Sequence, residues 1–563
     1  MKTKLNWLLD RPCRSRKSRG MHKARRLRVE QLENRLLLTA DFDWAIGIGS
    51  SGDDGVYGVS TDASGNAYVA GWFSGTVDFA PGADSHTLTS AGGTDSFAAK
   101  YSPGGALIWA SRMGSSDNNY FDWASDIAVD GLGNVVVTGN FTGSAVFGST
   151  TLVSVGGQDA FVTKLDGVTG NIVWAKRLGG SLTDRSEAVA VNAAGDIYVG
   201  GSGAFSLAKF DAIGTPVWVV GGPTPSSIAV DSSGNVYTTG QSGAGSVDFD
   251  PGDGTFILSS NSSFAFVQKL TSDGTFAWAK QFSVTSGKGG SGGNDIAVDI
   301  GGNVYVTGGF QGKVDFDPGT GSLMLTSASG SNDLFVSKLN SGGSLVWARM
   351  VGGTGTDGGV GIAVDGGNQV YLTGQFSGTV DFNPGAGVYI LPSVGSYDVG
   401  VLKLDAVGNF AWAVRIGGSD QFRGRDIAVD PYGNVLVVGY YRGTADFNPG
   451  TGTYPLTSAG GNDSFILKLT QPVAVLATSS LSVSGSRYIQ KSGTESQVTS
   501  LSKTQEQEKA KLIDAVYASS LDRLRRATLP DRDSLDLSDR DSLELIDWKS
   551  FDEFDWDSLE LPS

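Results

Sequence analysis

Three aspartates stand at corresponding points of a repeated apolar string and are the side chains best suited to acid–base chemistry. Each of them, Asp126, Asp295 and Asp426, precedes an Ile-Ala-Val triplet. Grouped carboxylates can act as general acid and general base when their surroundings move their pKa values apart. Two interpretations stay open: a carboxylate-dependent hydrolase or lyase acting on glycans, and a structural role as caps of strand ends beside solvent.

Histidine and cysteine are too scarce for most other catalytic chemistry. The chain has two histidines, His22 and His86, and one cysteine, Cys13. A Ser-His-Asp or Cys-His catalytic set, a thiolate metal site and a disulfide therefore cannot be assembled. We expect a protein that is not an enzyme and that needs no cofactor, with calcium as the one alternative left open.

The calcium alternative depends on three closely spaced aspartates, Asp248, Asp250 and Asp253. Their oxygens suit Ca²⁺, although the spacing and the final Glu of an EF-hand loop are absent. The same segment contains Asp250-Pro251-Gly252, which is a turn signal. It predicts an extended hairpin arm that recurs near residues 315–319, 381–385 and 446–450. The stretch 195–218 lacks this arm, so we expect a truncated unit there.

Two loops are candidates for ligand binding because they place aromatic or basic side chains beside polar ones. The first and richer loop contains Asp117, Asn118, Asn119, Tyr120, Phe121 and Trp123. The second contains Phe422, Arg423 and Arg425. Such residues suit a sugar or peptide surface. Packing at the solvent edge explains the aromatic residues about as well.

These residues all lie within a unit that recurs seven times. Each unit has one anchor tryptophan: Trp44, Trp109, Trp174, Trp218, Trp278, Trp347 and Trp412. Apolar residues alternate between Gly/Asn/Asp turns, as in Val304 and Val306, which is typical of half-buried strands. Four short strands per unit predict one blade of a β-propeller.

The phase of the repeat predicts how the ring closes. The repeats begin with a lone Trp strand at residues 42–47 and end with the strand 463–469, whose own Trp strand is missing. The first strand can complete the last blade and leave no long unpaired edge. The sequence therefore predicts an all-β fold: a seven-bladed β-propeller closed by the N-terminal strand.

Two recurrent residue types are assigned to turns. An aspartate ends the first strand of most units and should accept turn amides. The alternative is that these aspartates form a ring of ligands around the propeller axis. These positions are Asp62, Asp130, Asn192, Asp231, Asp299, Asp365 and Asp430. The repeated glycines, Gly308 among them, are also attributed to tight turns.

The strings Asp295–Asp299, Gly302–Gly308 and Asp333–Leu339 resemble the bacterial β-propeller repeat called SBBP. This resemblance implies a propeller of the kind found in extracellular or surface proteins, with no common reaction. The turn Asp166–Trp174 resembles the docking motif of quinoprotein propellers, which implies that the tryptophans pack between blades. The paired cysteines of those enzymes have no counterpart here.

The ends of the chain differ from the repeats. Residues 1–40 form a basic leader, and its segment 25–40 resembles the LEPR-XLL export signature, with Asn34 where that pattern has Pro. The resemblance implies export to the envelope or beyond, and a basic helix or disordered arm is the alternative. The acidic remainder disfavours a nucleic-acid partner, and no apolar run is long enough for a transmembrane helix.

After the propeller (residues 41–470) the sequence predicts three further segments. Residues 471–502 read as a Ser/Thr-rich linker, and residues 503–527 as an amphipathic helix. Residues 528–563 form an acidic tail of octapeptide repeats that should be largely disordered until it meets a partner, or else remain merely solvated.

Taken together, these patterns favour a non-catalytic, exported propeller in the secreted or cell-surface compartment. We expect it to be a monomer that serves as a binding or scaffold module for an extracellular glycan or protein partner. The glycan hydrolase or lyase described above is the rival.

Overall fold

The computed structural model describes residues 40–82, 85–116 and 121–471, and of residues 286–288 only the backbone. All of them belong to the first of two compact units, Met1–Leu476 and Ala477–Ser563. The predicted leader (apart from Ala40), linker, amphipathic helix and octapeptide tail lie outside the described residues.

Short strands make up nearly all of the described chain, and none of its helical residues could span a membrane. The first strands are β1 (Asp41–Ile48), β2 (Gly55–Thr61), β3 (Ala67–Asp78), β4 (Thr87–Tyr101), β5 (Leu107–Ser115), β6 (Trp123–Val129), β7 (Val135–Phe141), β8 (Ser144–Phe147), β9 (Thr150–Val153), β10 (Asp159–Leu165), β11 (Ile172–Leu178), β12 (Arg185–Val191), β13 (Ile197–Ser202), β14 (Leu207–Phe210), β15 (Pro216–Val220), β16 (Ser227–Val230), β17 (Val236–Ser242), β18 (Gly245–Asp248) and β19 (Ile257–Ser260).

The remaining strands are β20 (Phe264–Leu270), β21 (Phe276–Gln281), β22 (Ser283–Val298), β23 (Val304–Asp315), β24 (Met324–Thr326), β25 (Asn332–Leu339), β26 (Leu345–Gly353), β27 (Gly358–Val364), β28 (Val370–Phe376), β29 (Thr379–Asp381), β30 (Ile390–Pro392), β31 (Asp398–Leu404), β32 (Phe410–Gly418), β33 (Phe422–Val429), β34 (Val435–Tyr441), β35 (Thr444–Asp446), β36 (Pro455–Thr457) and β37 (Asp463–Thr470). In the part of the chain that the structure describes, one 3-10 turn, Ala328–Gly330, interrupts them.

Antiparallel four-stranded groups repeat along the chain in the same order. From the inner to the outer strand they are β2-β3-β4-β5, β6-β7-β10-β11, β12-β13-β14-β15, β16-β17-β20-β21, β22-β23-β25-β26, β27-β28-β31-β32 and β33-β34-β37-β1. Each innermost strand contacts the innermost strand of the next group, and β33 contacts β2. Among the described residues these groups, counted by their inner strands, number seven, and the all-β propeller class is confirmed.

The two ends of the repeat region are joined within one sheet. Strand β1 pairs with β37 in antiparallel register, with Trp44 opposite Lys468 and Ile46 opposite Ile466. The first strand therefore supplies the outer strand of the last sheet, as the phase of the repeat predicts. Pairing of β1 leaves β37 hydrogen-bonded on both sides, since β34 is its other neighbour.

Trp and Lys connect each blade to the next one. The indole Nε1 of Trp109 donates to the carbonyl oxygen of Gly167 at 3.2 Å, and Lys100 Nζ donates to the same oxygen at 2.9 Å. Gly170 in that turn lies so close to the indole of Trp109 that a Cβ there would be 2.7 Å from it. Inter-blade indole bonds are also made by Trp44, Trp218, Trp278, Trp347 and Trp412. The predicted packing of tryptophan between blades is confirmed.

The residue that ends each first strand, an aspartate in six blades and Asn192 in the third, closes the following turn. Asp299 Oδ1 accepts the amides of Gly301 and Asn303 at 2.9 Å, and its Oδ2 accepts the hydroxyl of Tyr305 at 3.0 Å. Burial alone would raise the pKa of Asp299, but these bonds and the charge of Lys338 hold that pKa below its usual value. The turn role predicted for this position is confirmed.

The arms between second and third strands are hairpins, and three of them reach across to a neighbouring blade. β8 pairs with β5, β29 with β26 and β35 with β32, so each of these arms extends the sheet of the preceding blade. In the third blade, β13 runs directly to the four-residue strand β14 without an arm. That blade is truncated, as its sequence predicts.

One recurrent glycine belongs to a strand and not to a turn. Gly308 lies within β23, where a Cβ would stand 1.9 Å from the carbonyl oxygen of Gly292 in the inner strand. Its assignment to a turn is therefore wrong: the close approach of two strands excludes any side chain. The equivalent glycines, each facing a carbonyl oxygen of the inner strand or, for Gly240, of Thr224 just before it, are Gly71, Gly139, Gly201, Gly240, Gly374 and Gly439.

We predict that Gly308→Ala destabilises the propeller by about 2–3 kcal/mol, because the inner strand must move away from the new methyl group. Urea denaturation would measure the loss. Gly104→Ala is the matched control, since a Cβ at Gly104 would meet no atom within 4 Å. Equal stability of the two variants would contradict this explanation of the motif.

Ring closure gives a second prediction. A chain that starts at residue 50 lacks β1 and exposes the backbone edge of β37, so it should lose more than about 3 kcal/mol of stability and aggregate. Denaturation and size-exclusion chromatography would compare it with a chain that starts at residue 40. If both chains are equally stable and monomeric, β1 does not close the ring.

Candidate functional site

The inner strands carry β-bulges at one shared register. In six blades the pairing of the first two strands skips one residue: Tyr57, Ser125, Glu187, Asn294, Val360 or Arg425. Ser226 holds the same position in the fourth blade, and its amide donates to Thr239. We call these seven residues the bulge ring. Bulges re-aim side chains and are common beside functional sites.

All seven members of the bulge ring line one cavity of about 490 Å³ at the centre of the propeller. The second residue after the bulge is Ile or Val in every blade, whereas the bulge ring contains an acid, a base, an aromatic residue, an amide, two serines and a valine. The repeat therefore keeps the scaffold constant and varies the side chains that face the channel. Glu187 in the third blade lies across the channel from Arg425 in the seventh.

The three aspartates singled out for acid–base chemistry lie one residue after the bulge. Asp126 accepts the amide of Ile127 at 2.7 Å with Oδ1 and the amide of Val189, in the next blade, at 2.8 Å with Oδ2. The same two kinds of bond recur at Asp295, with Ile296 and Ile362, and at Asp426, with Ile427 and Val59. Each aspartate thus bridges two inner strands. The prediction that these aspartates cap strand ends beside solvent is therefore wrong, because they lie inside strands β6, β22 and β33.

Confinement in the channel makes these aspartates weak acids. Burial, together with the negative charge of Asp295, raises the pKa of Asp126 to about 7. Burial also raises the pKa of Asp295 and, with repulsion from the other two carboxylates, that of Asp426. Near neutral pH these three side chains therefore carry less negative charge than three ordinary aspartates would.

The predicted binding residues Arg423 and Arg425 both line the central cavity. The guanidinium of Arg425 lies over the ring of Tyr57 at 4.7 Å and over that of Tyr440 at 5.2 Å. Arg423 lies over Tyr397 at 5.0 Å and donates to Oε1 of Gln375 at 2.5 Å. Stacking and hydrogen bonds hold both cations at the wall of the central cavity. We call the part of the cavity that Arg423 and Arg425 line the channel mouth.

Phe422 does not belong to this surface. Its side chain is 1% exposed and stacks on Phe465 with ring centroids 4.9 Å apart, inside an apolar cluster. It occupies the repeat position at which other blades have the buried residues Asp54, Asp122, Asp184 and Asp357. The prediction that Phe422 contacts a ligand is therefore wrong, because the side chain fills the core.

The richer candidate loop is described only in part: Asp117, Asn118, Asn119 and Tyr120 lie outside the described residues. Phe121, which is 60% exposed, and Trp123 line a second cavity of about 530 Å³ together with Tyr57 and Trp72. We call this second cavity the aromatic cleft. Tyr57 lines both cavities, so the cleft adjoins the channel mouth.

Tyr57 and Trp72 were not predicted from the sequence. Aligning the seven units could have drawn attention to Tyr57, because its inner-strand position holds Tyr, Ser, Glu, Asn, Val or Arg. Trp72 follows the invariant glycine of the second strand, and only its position beside Trp123 gives it a role in the cleft.

The residues proposed for calcium are engaged within their own hairpin arm. Asp248 Oδ1 accepts the amides of Asp250 at 3.1 Å and Phe256 at 2.9 Å, and Asp250 Oδ1 accepts the amide of Gly252 at 2.9 Å. Asp253 is exposed. Across residues 40–82, 85–116 and 121–471, no group of three or more His, Cys, Asp or Glu side chains is arranged to hold a metal ion.

Comparisons with known proteins agree with the repeat architecture. The family described as SBBP, a beta-propeller repeat, matches residues 223–245. A WD repeat-containing protein of Acanthamoeba polyphaga mimivirus is 24% identical over 74% of this chain, which spans about a third (32%) of that protein. Together with the fold, these findings show a β-propeller repeat protein.

Solved structures of low identity also align with the chain. BamB from Moraxella catarrhalis is 12% identical, with 76% of this chain and 97% of that one covered at a TM-score of 0.31. Virginiamycin B lyase from Staphylococcus aureus is 10% identical, with 76% and 99% covered at a TM-score of 0.38. Likenesses this distant carry no argument about function.

The raised pKa of Asp126 predicts a pH dependence of stability. Because the folded protein holds this proton more tightly than the unfolded chain, the contribution of Asp126 is fully present below about pH 4 and is lost as the pH rises through about 7. The stability difference between wild type and Asp126→Asn should therefore be larger at pH 5 than at pH 8 in urea denaturation.

Asp299→Asn is the control, since the pKa of Asp299 lies below its usual value and its ionisation is complete at both pH values. Its stability difference from wild type should be the same at pH 5 and pH 8. A pH-independent difference for Asp126→Asn would show that folding does not raise the pKa of Asp126.

Proposed function

We propose that this chain is an exported, non-catalytic propeller that binds an extracellular ligand at the channel mouth and the aromatic cleft. One observation carries the proposal: Tyr57 joins the cleft to the mouth, so aromatic faces, two arginines and amide groups form one continuous concave surface. Ring proteins commonly present composite binding surfaces where their loops converge. Concave sites with aromatic walls and a few polar groups are typical of ligand binding.

The aspartates of the channel support binding more than turnover. Each of the three uses both carboxylate oxygens to accept backbone amides, and Asp295 also accepts the hydroxyl of Ser227 at 2.6 Å. A general acid or base must instead direct an oxygen at the substrate. We therefore assign Asp126, Asp295 and Asp426 to joining the inner strands.

The location outside the cell follows from the resemblances of the leader and of the repeat, and it forms part of the proposal. Fractionation of the native organism into cytoplasm, envelope and medium tests it directly. Detection of the full chain in the cytoplasm alone would contradict export and leave the binding surface to be tested by itself.

Binding should be lost when the aromatic cleft is removed. The full chain, screened against immobilised glycans and envelope extracts, should retain a ligand that the double variant Phe121→Ala, Trp123→Ala binds at least about 10-fold more weakly. The melting temperature should stay within a few degrees, because Phe121 is exposed and Trp123 lies at the cavity wall.

Tyr432→Ala is the matched control: this tyrosine is 50% exposed and lines a cavity at the turns between first and second strands, away from the cleft. Equal binding by the cleft variant and the control would exclude the cleft as the site.

A hydrolase and lyase panel run on the same full chain tests the rival function. The raised pKa of Asp126 is the observation that favours it, since a carboxyl that titrates near pH 7 can donate a proton. We expect no turnover. Activity that Asp126→Asn abolishes while Asp299→Asn retains it would replace the binding proposal with the enzyme.

A further inference from the structure

The two arginines of the channel mouth lack the acidic partner that three arginines elsewhere in the propeller have within their own blades. Arg112, Arg177 and Arg415 each pair with a fully buried aspartate at 2.6–2.9 Å. Arg423 and Arg425 make no ion pair with any described carboxylate, although three aspartates line the same cavity. Two cations without an acidic partner at the wall of a cavity are a suitable site for an anion.

Arg425 is held in one orientation and has an unsatisfied donor. Its guanidinium lies between Tyr57 and Tyr440, and its Nη2 lies 3.4 Å from the hydroxyl of Tyr440. Its Nε is buried and has no hydrogen-bond partner among the described residues. A buried donor without an acceptor is costly, so the stacking between the two tyrosines fixes this guanidinium at the expense of one hydrogen bond, and its remaining nitrogens are the donors that face the cavity.

Arg423 is fixed by neighbours that leave part of its guanidinium free. Besides Gln375, the side-chain oxygen of Gln421, oriented to satisfy both groups, accepts from Nε at 3.1 Å and from Nη2 at 2.9 Å. Amide partners do not neutralise the charge. The two guanidinium groups thus present a rigid and unneutralised cationic edge.

The aromatic cleft beside this edge suits a sugar ring. Trp72, Trp123 and Phe121 provide apolar faces, while Asp53, Ser74 and Thr94 add oxygen atoms at the same cavity wall. Stacking on aromatic faces together with hydrogen bonds to hydroxyl groups is what a saccharide requires. Because Tyr57 contacts Arg425 and also lines the cleft, one ligand can reach both.

We propose that the channel mouth binds the carboxylate of an acidic saccharide through Arg425, supported by Arg423, while the sugar rings lie in the aromatic cleft. This inference rests on the proposed function and adds the class of ligand. Arg425 serves as the anion-binding residue, and Tyr57 positions it.

The rest of the cavity limits what can bind there. Asp126, Asp295 and Asp426 lie below the mouth, and burial raises the pKa of all three, so they repel a single carboxylate less than ordinary aspartates would. Across the channel, Glu187 can accept sugar hydroxyls. The net charge of the chain, −16, opposes the approach of a polyanion and favours a short ligand with few charges.

Isothermal titration of the full chain with tetragalacturonate, and with the same tetrasaccharide after reduction of its carboxyl groups, tests the inference. We expect binding of the acidic form and at least about 10-fold weaker binding of the reduced form. Arg425→Gln should weaken binding of the acid by about 10- to 100-fold and leave binding of the reduced form unchanged. Arg442→Gln, which removes an exposed arginine that lines neither cavity, should change nothing.

Arg425→Lys is the control that distinguishes a loss of charge from a folding defect. It keeps the charge and loses the planar fork, so its affinity for the acid should fall between those of wild type and Arg425→Gln at an unchanged melting temperature. An affinity equal to that of Arg425→Gln at an unchanged melting temperature would overturn the electrostatic role of this residue.

The remaining outcomes separate the two proposals. Equal binding of the acidic and reduced sugars, lost only in the cleft variant, would overturn the acidic ligand and retain the binding function. Arg425-dependent binding of a peptide with a free C-terminal carboxylate, without binding of either sugar, would overturn the saccharide assignment. Absence of binding to both sugars also overturns it, and the glycan and extract screen then decides the binding function independently.

Discussion

The β-bulge of the inner strands is the constraint on which the rest of this propeller depends. At the bulge, the inner strand presses a carbonyl oxygen against the second strand, at a distance that no side chain tolerates: a Cβ at Gly308 would lie 1.9 Å from the oxygen of Gly292. The invariant glycine permits this approach, and the inserted residue is thereby directed into the channel. One backbone irregularity thus explains both a glycine that all seven units share and a channel-facing position whose residue varies among the units.

The outer parts of each blade use charge and aromatic rings to hold the ring together. Lys338 lies over the ring of Tyr305 at 4.7 Å and 3.8 Å from Asp299, which also closes the turn. Its cationic head is thus satisfied at a site where its side chain is only 10% exposed. Trp347 covers the turn of the next blade. These contacts recur around the ring and leave the channel face free to differ from blade to blade.

An acidic chain with buried carboxylates must satisfy them locally, and it does so in three ways. Asp299 accepts several donors and stays a strong acid, whereas Asp95 is paired with Arg112 at 2.6 Å. Asp333 has no arginine partner, and burial raises its pKa to about 6, with a further contribution from Asp357. The channel aspartates resemble this last group. The propeller therefore tolerates weak acids at its inner and inter-blade surfaces.

The sequence by itself determined the propeller class, the closing strand, the turn role of Asp299 and the packing of Trp109, because each of these follows from a local pattern repeated along the chain. It also predicted Arg423, Arg425, Phe121 and Trp123 as binding residues, and the structure places all four at cavity walls, but the residue types could not separate them from the buried Phe422. Only the tertiary structure decided which of them share a surface. Tyr57 and Arg425 are hundreds of residues apart and meet because ring closure brings the first and last inner strands together, and the bulges that aim them at each other are backbone geometry that residue types alone do not specify.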